Sequence, residues 1–166
     1  PNAADPHHEA DSTRLEQGQC IVIDMGCRKD RYCSDMTRTY FCGEPSEKHA
    51  AIHDLVCRAN ALAESMVRPG IALKELDIAA RSLIAEAGYG EYFTHLLGHF
   101  IGQTEHEQGD VSATTPLIAQ PGMIFSIEPG VYLPGEFGVR IEDLVIVTED
   151  GCEVLNGYPH ELEVLG

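Results

Sequence analysis

Four carboxylates sit inside apolar, strand-like segments, and few folds can tolerate them there. Asp24 closes the run Cys20-Ile21-Val22-Ile23, and Asp35 lies within residues 32–42, rich in Tyr, Thr, Phe and Cys. Glu128 ends an apolar segment at 123–128, and Glu142 follows Val139-Arg140-Ile141 in a segment at 139–148. Segments of this composition read as β-strands. Polar, turn-like residues from Gly26 to Arg31 join the first two, and a loop with Pro134, Gly135 and Gly138 joins the second two, so each pair reads as a hairpin. Opposed residues in an antiparallel pair keep a constant index sum. A turn centred at Lys29-Asp30 would set Asp24 opposite Asp35, and one centred at Gly135 would set Glu128 opposite Glu142. The apolar neighbours predict that all four acids are buried. Ile23-Asp24-Met25-Gly26 is echoed by Ile127-Glu128-Pro129-Gly130, which suggests two pseudo-equivalent halves.

Buried carboxylates placed side by side lose hydration at a cost of several kcal/mol per ion, and they repel each other. A shared proton or an arginine would neutralise one pair. Four carboxylates with a histidine, His99, are better matched by divalent cations, since two dications balance four negative charges. Oxygen-rich ligation with one imidazole favours manganese first, with cobalt, iron or zinc as alternatives. Two such ions about 3.5–4 Å apart activate a water and polarise a carbonyl. His95-Leu96-Leu97-Gly98-His99 has His-x-x-x-His spacing but lacks the glutamate of a zinc-protease helix.

The remaining chain supplies helices. Ser46 is a candidate N-cap for a helix over about 47–67, whose apolar positions Ile52, Leu55, Val56, Ala59 and Ala63 keep a 3.6-residue period. Arg68-Pro69-Gly70 stops it, and a second helix is expected over about 73–87, ended by Gly88. Glu149-Asp150-Gly151 reads as a tight turn, followed by one more short strand. The 166 residues fit one domain of α+β class. Eleven basic against 27 acidic residues, a net charge of −16, argue against nucleic acid or an anionic membrane as partner. No apolar run approaches the roughly 20 residues that cross a bilayer. The six cysteines form no Cys-x-x-Cys pair and read as small core residues in a reducing cytoplasm.

The strings Val22-Ile23-Asp24-Met25-Gly26, Ser34-Asp35-Met36-Thr37-Arg38-Thr39 and His95-Leu96-Leu97-Gly98-His99-Phe100-Ile101-Gly102 resemble the pita-bread metallopeptidases. So do Ser126-Ile127-Glu128-Pro129-Gly130 and Gly138-Val139-Arg140-Ile141-Glu142-Asp143. The resemblance implies a curved, mostly antiparallel sheet covered by helices, in two pseudo-symmetric halves. It also implies five metal ligands: Asp24, Asp35, His99, Glu128 and Glu142. Asp35 and Glu142 would bridge two ions, Asp24 would complete one, and His99 with Glu128 the other. Glu128 would also act as general base.

The Xaa-Pro branch, which includes prolidase and aminopeptidase P, carries a histidine 17 residues before the first metal aspartate, matched by His7, and one seven residues after the metal histidine, matched by His106. By this resemblance His7, His95 and His106 line the substrate site, and Arg140 orients the substrate carboxylate or the bridging acid. Phe100, where a small residue is common, is expected to narrow the pocket. The implied activity is cleavage of Xaa-Pro bonds in a dipeptide or peptide, by a cytoplasmic protein that is a homodimer at full length. Two rivals are a catalytically silent binding module and a relative acting on a small amide or amidino compound, or a lyase. The chain begins with Pro1, and the resemblance implies a truncated catalytic domain over 1–166, without the fold's first helices or any N-terminal domain.

Overall fold

Alternating residues in the two hairpins set their faces, and the computed structural model, which describes residues 2–165, shows both hairpins formed. β1 (Cys20–Lys29) pairs antiparallel with β2 (Tyr32–Cys42), and β10 (Glu163–Leu165) joins the other edge of β2 in parallel. Two helices follow, α1 (Glu47–Met66) and α2 (Leu73–Glu86). Then come β3 (Gly98–His99), β4 (Asp110–Val111), β5 (Ile124–Ile127), β6 (Gly130–Leu133), β7 (Phe137–Arg140), β8 (Asp143–Val147) and β9 (Cys152–Val154). The architecture is α+β, as expected. The helices pack through Ile52, Leu55, Val56 and Ala59 of α1 and Leu73, Leu76, Ala80 and Ile84 of α2, all buried together with Phe125, Ile127 and Val145 of the sheets. Each large aliphatic side chain so buried contributes about 1.5–3 kcal/mol.

α1 starts where its cap chemistry says. Ser46 Oγ accepts from the His49 backbone N–H at 3.1 Å, and His49 Nδ1 accepts from the Ser46 N–H at 3.3 Å. His49 thus fills the capping-box position usually held by Glu or Gln. α2 ends at Gly88, whose φ of 88° is the left-handed conformation that follows helix C-termini.

Three strand expectations need correction. The first hairpin turns at Asp30-Arg31, with Lys29 opposite Tyr32, so Asp24 faces Thr37 and Asp35 faces Gly26. Two-residue loops of this kind match strand twist only when both residues take positive φ, and Asp30 and Arg31 do so at 50° and 79°. The shift moves each partner by two residues, which preserves the face. Asp24 and Asp35 are therefore diagonal neighbours on one side of the hairpin instead of directly opposed.

The second correction concerns the segment at 139–148. The expected register holds throughout, with Tyr132 opposite Gly138 and Ile127 opposite Asp143. The ladder nevertheless breaks at Ile141-Glu142, because Pro129 accepts from the Ile141 N–H at 3.4 Å but has no N–H to return, while the Glu142 N–H faces outward to Thr37 O at 3.1 Å. The long strand becomes β7 and β8, and Gly138 belongs to β7, not to the loop. The third correction is at the C-terminus, which carries two short strands, not one. Among the described residues, no helix is long and apolar enough to cross a membrane. All six cysteines are free; Cys20 is buried and Cys57 and Cys152 pack half-buried against the core, whereas Cys27, Cys33 and Cys42 lie outside it.

Relief of left-handed strain at Arg31, about 1–2 kcal/mol, exceeds glycine's extra unfolded-state entropy of about 0.4–1 kcal/mol, so Arg31→Gly is expected to raise stability by about 0.5–1 kcal/mol. A urea titration monitored by circular dichroism reads this, and an unchanged or lower midpoint would refute the turn assignment.

Candidate metal centre

The acids converge because both hairpins present them toward one cavity. Its volume is about 320 Å³, and Asp24, Asp35, His99, Glu128 and Glu142 all line it, together with His7, His95, His106 and Arg140. Oxygen or nitrogen atoms of Asp35, His99 and Glu142 lie within 4.8 Å of one another. His99 Nε2 stands 3.7 Å from Asp35 Oδ2 and 3.6 Å from Glu128 Oε1.

His99 is aimed by close packing and by its second nitrogen. A Cβ on Gly98 would fall 1.9 Å from the Ser126 carbonyl oxygen, so only glycine lets β3 lie this close to β5. The His99 N–H donates to Ser126 Oγ at 2.9 Å, and that hydroxyl donates to Glu128 Oε1 at 3.0 Å. His99 Nδ1 lies 3.2 Å from the Phe100 carbonyl, which can only accept, so Nδ1 carries the proton. Nε2 therefore turns a lone pair toward two carboxylates. That contact is unfavourable until a cation or proton lies between them.

The segment before His99 is clamped by α2. Asp77, fully buried, accepts from the Leu97 N–H at 3.1 Å and from Arg81 at 2.8 and 3.0 Å. Arg81 in turn donates to the Phe93 and His95 carbonyls at 2.8 and 2.9 Å. Helix α2 thus fixes the loop that carries His95 and His99.

The carboxylates are held in an environment that resists their charge. Burial, then the neighbouring Asp24 carboxylate, pushes Asp35 up to about 6. Burial pushes Glu128 up to about 7 against the opposing pull of Arg140. Glu142, 2% exposed, is raised well above its ordinary value by burial and then by Glu128 and Asp35. Asp24 departs from expectation. Its side chain is 53% exposed, because β1 is an edge strand and its residues from Asp24 onward are open.

Arg140 holds Asp24 at 2.7 Å and donates to Thr37 Oγ1 at 3.1 Å, and Thr37 Oγ1 donates to Glu142 Oε2 at 2.6 Å. The third guanidinium nitrogen donates to Tyr132 Oη at 3.1 Å. Tyr132 Oη lies 2.9 Å from His95 Nε2, while His95 Nδ1 sits 2.8 Å from the Leu96 carbonyl and must donate to it. Tyr132 therefore donates to His95. Burial lowers His95 to about 4, which keeps this ring neutral.

Thr37, Tyr132 and Ser126 were not singled out from sequence. The alternation Asp35-x-Thr37-x-Thr39 places Thr37 on the face of Asp35 and was the available signal. His106 is exposed and lays its ring on His99, with centroids 4.1 Å apart. His7 is exposed at the cavity wall. Phe100 does not narrow the cavity, because its ring packs on Phe125 with centroids 5.6 Å apart.

The donor set of four carboxylates and one neutral imidazole suits hard or borderline divalent cations. Comparisons with known proteins agree. The pattern of metallopeptidase family M24 matches residues 1–149. A probable dipeptidase PepE from Mycobacterium bovis is 47% identical over 166 residues, covering 99% of this chain and 44% of the relative. The prolidase from Pyrococcus horikoshii superposes with a TM-score of 0.94 at 44% identity, covering 96% of this chain and 46% of that one. The X-Pro aminopeptidase from Thermotoga maritima gives 0.95 at 40% identity, covering 98% and 46%. The chain thus spans somewhat under half the length of the relatives it matches.

Three outcomes test this geometry. Asp77→Ala strands Arg81 and the Leu97 N–H, and is expected to lower stability by about 2–3 kcal/mol, read from a urea midpoint; a loss below about 0.5 kcal/mol would contradict the clamp. The carboxylates titrate higher folded than unfolded. Without metal, their contribution is present below the ordinary carboxylate range and is lost as pH rises through about 6 for Asp35 and 7 for Glu128. Glu142→Gln should therefore raise the metal-free melting temperature at pH 8 by about 2–4 °C, a gain near 1 kcal/mol. Added Mn2+ should raise the melting temperature of the unsubstituted protein more at pH 8 than at pH 5, and equal shifts would exclude carboxylate ligation.

Proposed function

The chain belongs to metallopeptidase family M24, and on that premise we propose that it is the catalytic part of a dinuclear-metal hydrolase cleaving Xaa-Pro bonds. The observation that carries the reading is the convergence of Asp24, Asp35, His99, Glu128 and Glu142 on one cavity. Asp35 and Glu142 would be shared by the two ions, with Asp24 completing the set for one and His99 with Glu128 the set for the other. The preferred metal is manganese, since four of the five donors are carboxylates. When bound, such ions polarise the scissile carbonyl and make a water nucleophilic near neutral pH.

The chain's own residues then have separate tasks. Glu128, raised to about 7, is poised to take a proton from the attacking water and return it to the leaving prolyl nitrogen. Ser126 fixes its orientation through Oε1. His106 and His7, exposed at the cavity mouth, are placed to hydrogen-bond the carbonyl oxygen or the tetrahedral intermediate. His95 has both ring nitrogens engaged, so it shapes the wall and steadies Tyr132 and Arg140. Arg140 is committed to Asp24, Thr37 and Tyr132, which favours a role in orienting ligands over direct capture of a substrate carboxylate. The proline preference is supported by the prolidase and the X-Pro aminopeptidase among the similar structures. The full-length protein is proposed to act as a homodimer in the cytoplasm on dipeptides or short peptides.

Metal content and kcat/KM on Gly-Pro and on a longer Xaa-Pro peptide test this together. Asp35→Ala should lower kcat/KM by more than about 100-fold, beyond what loss of an outer hydrogen-bond partner produces. Equal activity in that variant would sink the metal mechanism. Stoichiometric metal without peptide cleavage would move the substrate to a small amide or amidino compound.

A further inference from the structure

The two hairpins meet along a seam that is barely a β-ladder. Thr37 and Glu142 form an isolated antiparallel bridge, through the Glu142 N–H to Thr37 O bond of 3.1 Å. In antiparallel register the next opposed positions outward are Thr39 with Arg140 and Asp35 with Leu144. Neither position closes by direct backbone bonds. At the first, Thr39 Oγ1 accepts from the Arg140 N–H at 3.1 Å and donates to the Arg140 carbonyl at 3.0 Å.

At the second, the amide of Asn156 stands between the strands. Its Nδ2 donates to the Asp35 carbonyl at 2.9 Å, and its Oδ1 accepts from the Leu144 N–H at 2.6 Å. Asn156 is held in turn, because the Leu155 N–H donates to the Leu144 carbonyl at 2.8 Å. The side-chain amide thus copies a peptide group spliced into the seam. Direct pairing there would draw the strands to about 4.8 Å. The insert keeps the backbone of Asp35 farther from that of Leu144, two residues beyond Glu142. Asp35 and Glu142 are the two carboxylates proposed to be shared between ions, and they stand on opposite lips of this seam.

We propose that Asn156 is a positioning residue that sets the gap between Asp35 and Glu142, and thereby the metal affinity of the site. This rests on the metal-centre reading above. It assigns a role to a residue outside the five ligands, in the segment after β9.

Calorimetric titration of the intact, metal-free protein with Mn2+ tests it, alongside the visible spectrum of the Co2+-loaded form. Asn156→Ala removes both bonds. Asn156→Asp keeps the size and the acceptor for Leu144 but cannot donate to the Asp35 carbonyl, so it carries the test if the alanine variant fails to fold. Both variants should bind Mn2+ about tenfold more weakly, with a changed Co2+ spectrum. A residue with only a structural role would lower the melting temperature and leave affinity and spectrum unmoved. Mn2+ affinity within twofold of the parent in a folded variant overturns the proposal. A parent protein that binds no Mn2+ overturns the metal-centre reading itself, and the two failures are told apart by the parent's own titration.

Discussion

Everything at the centre of this molecule depends on carboxylates being held closer together than their charges allow unaided. Burial raises Asp35, Glu128 and Glu142 above the ordinary carboxylate range, and each adds to the cost of ionising its neighbours. The one guanidinium lining the cavity, that of Arg140, is bonded to Asp24. His99 offers a lone pair, not a positive charge. The arrangement is therefore stable protonated or with cations, and unstable as bare anions. A fold that spends stability this way ties it to metal occupancy and to pH.

The rest of the structure serves to keep those groups from relaxing apart. Helix α2 holds the His95–His99 loop through Asp77 and Arg81. Gly98 allows β3 to sit against β5, which sets His99 over Glu128. A continuous chain of contacts runs from Asp24 through Arg140 and Thr37 to Glu142, so the exposed acid and the most buried one are oriented by the same side chains. Buried polar groups in such a chain must all be satisfied, and that requirement fixes rotamers more tightly than apolar packing does. The Arg140–Tyr132–His95 branch extends the same control to the cavity wall.

Behind the seam, Arg38 adds a second layer of control. It is 2% exposed and donates to the Thr37 and Glu142 carbonyls and to Asp143. It also bonds the carbonyls of Tyr158 and Pro159, at 2.7 and 3.0 Å, which fastens the C-terminal segment against the back of the centre. Asn156 and Arg38 thus act on the same junction, one from the segment after β9 and the other from β2. The segment after β9 stays largely exposed, yet Asn156 and the carbonyls of Tyr158 and Pro159 fasten it to this junction.

The sequence alone determined both helices, the existence of two hairpins and the candidate donors. Helical periodicity with Ser46 and Gly88 placed both helices, and four acids in apolar strands announced a charge problem needing a solution. These features are local: a cap, a period of 3.6 or an alternation of two is written in consecutive residues. Tertiary structure decided what depends on contact between distant segments. The first hairpin's register turned on two positive φ values at Asp30 and Arg31, which composition did not foretell. Asp24 stays open because β1 is an edge strand, a matter of which strands neighbour it. The Glu142 N–H, which faces away from its hairpin partner, found Thr37, more than a hundred residues earlier, and so joined the two hairpins. Hydrogen bonds over such separations leave no periodic trace, so Tyr132 and Asn156 became visible only once the chain had folded.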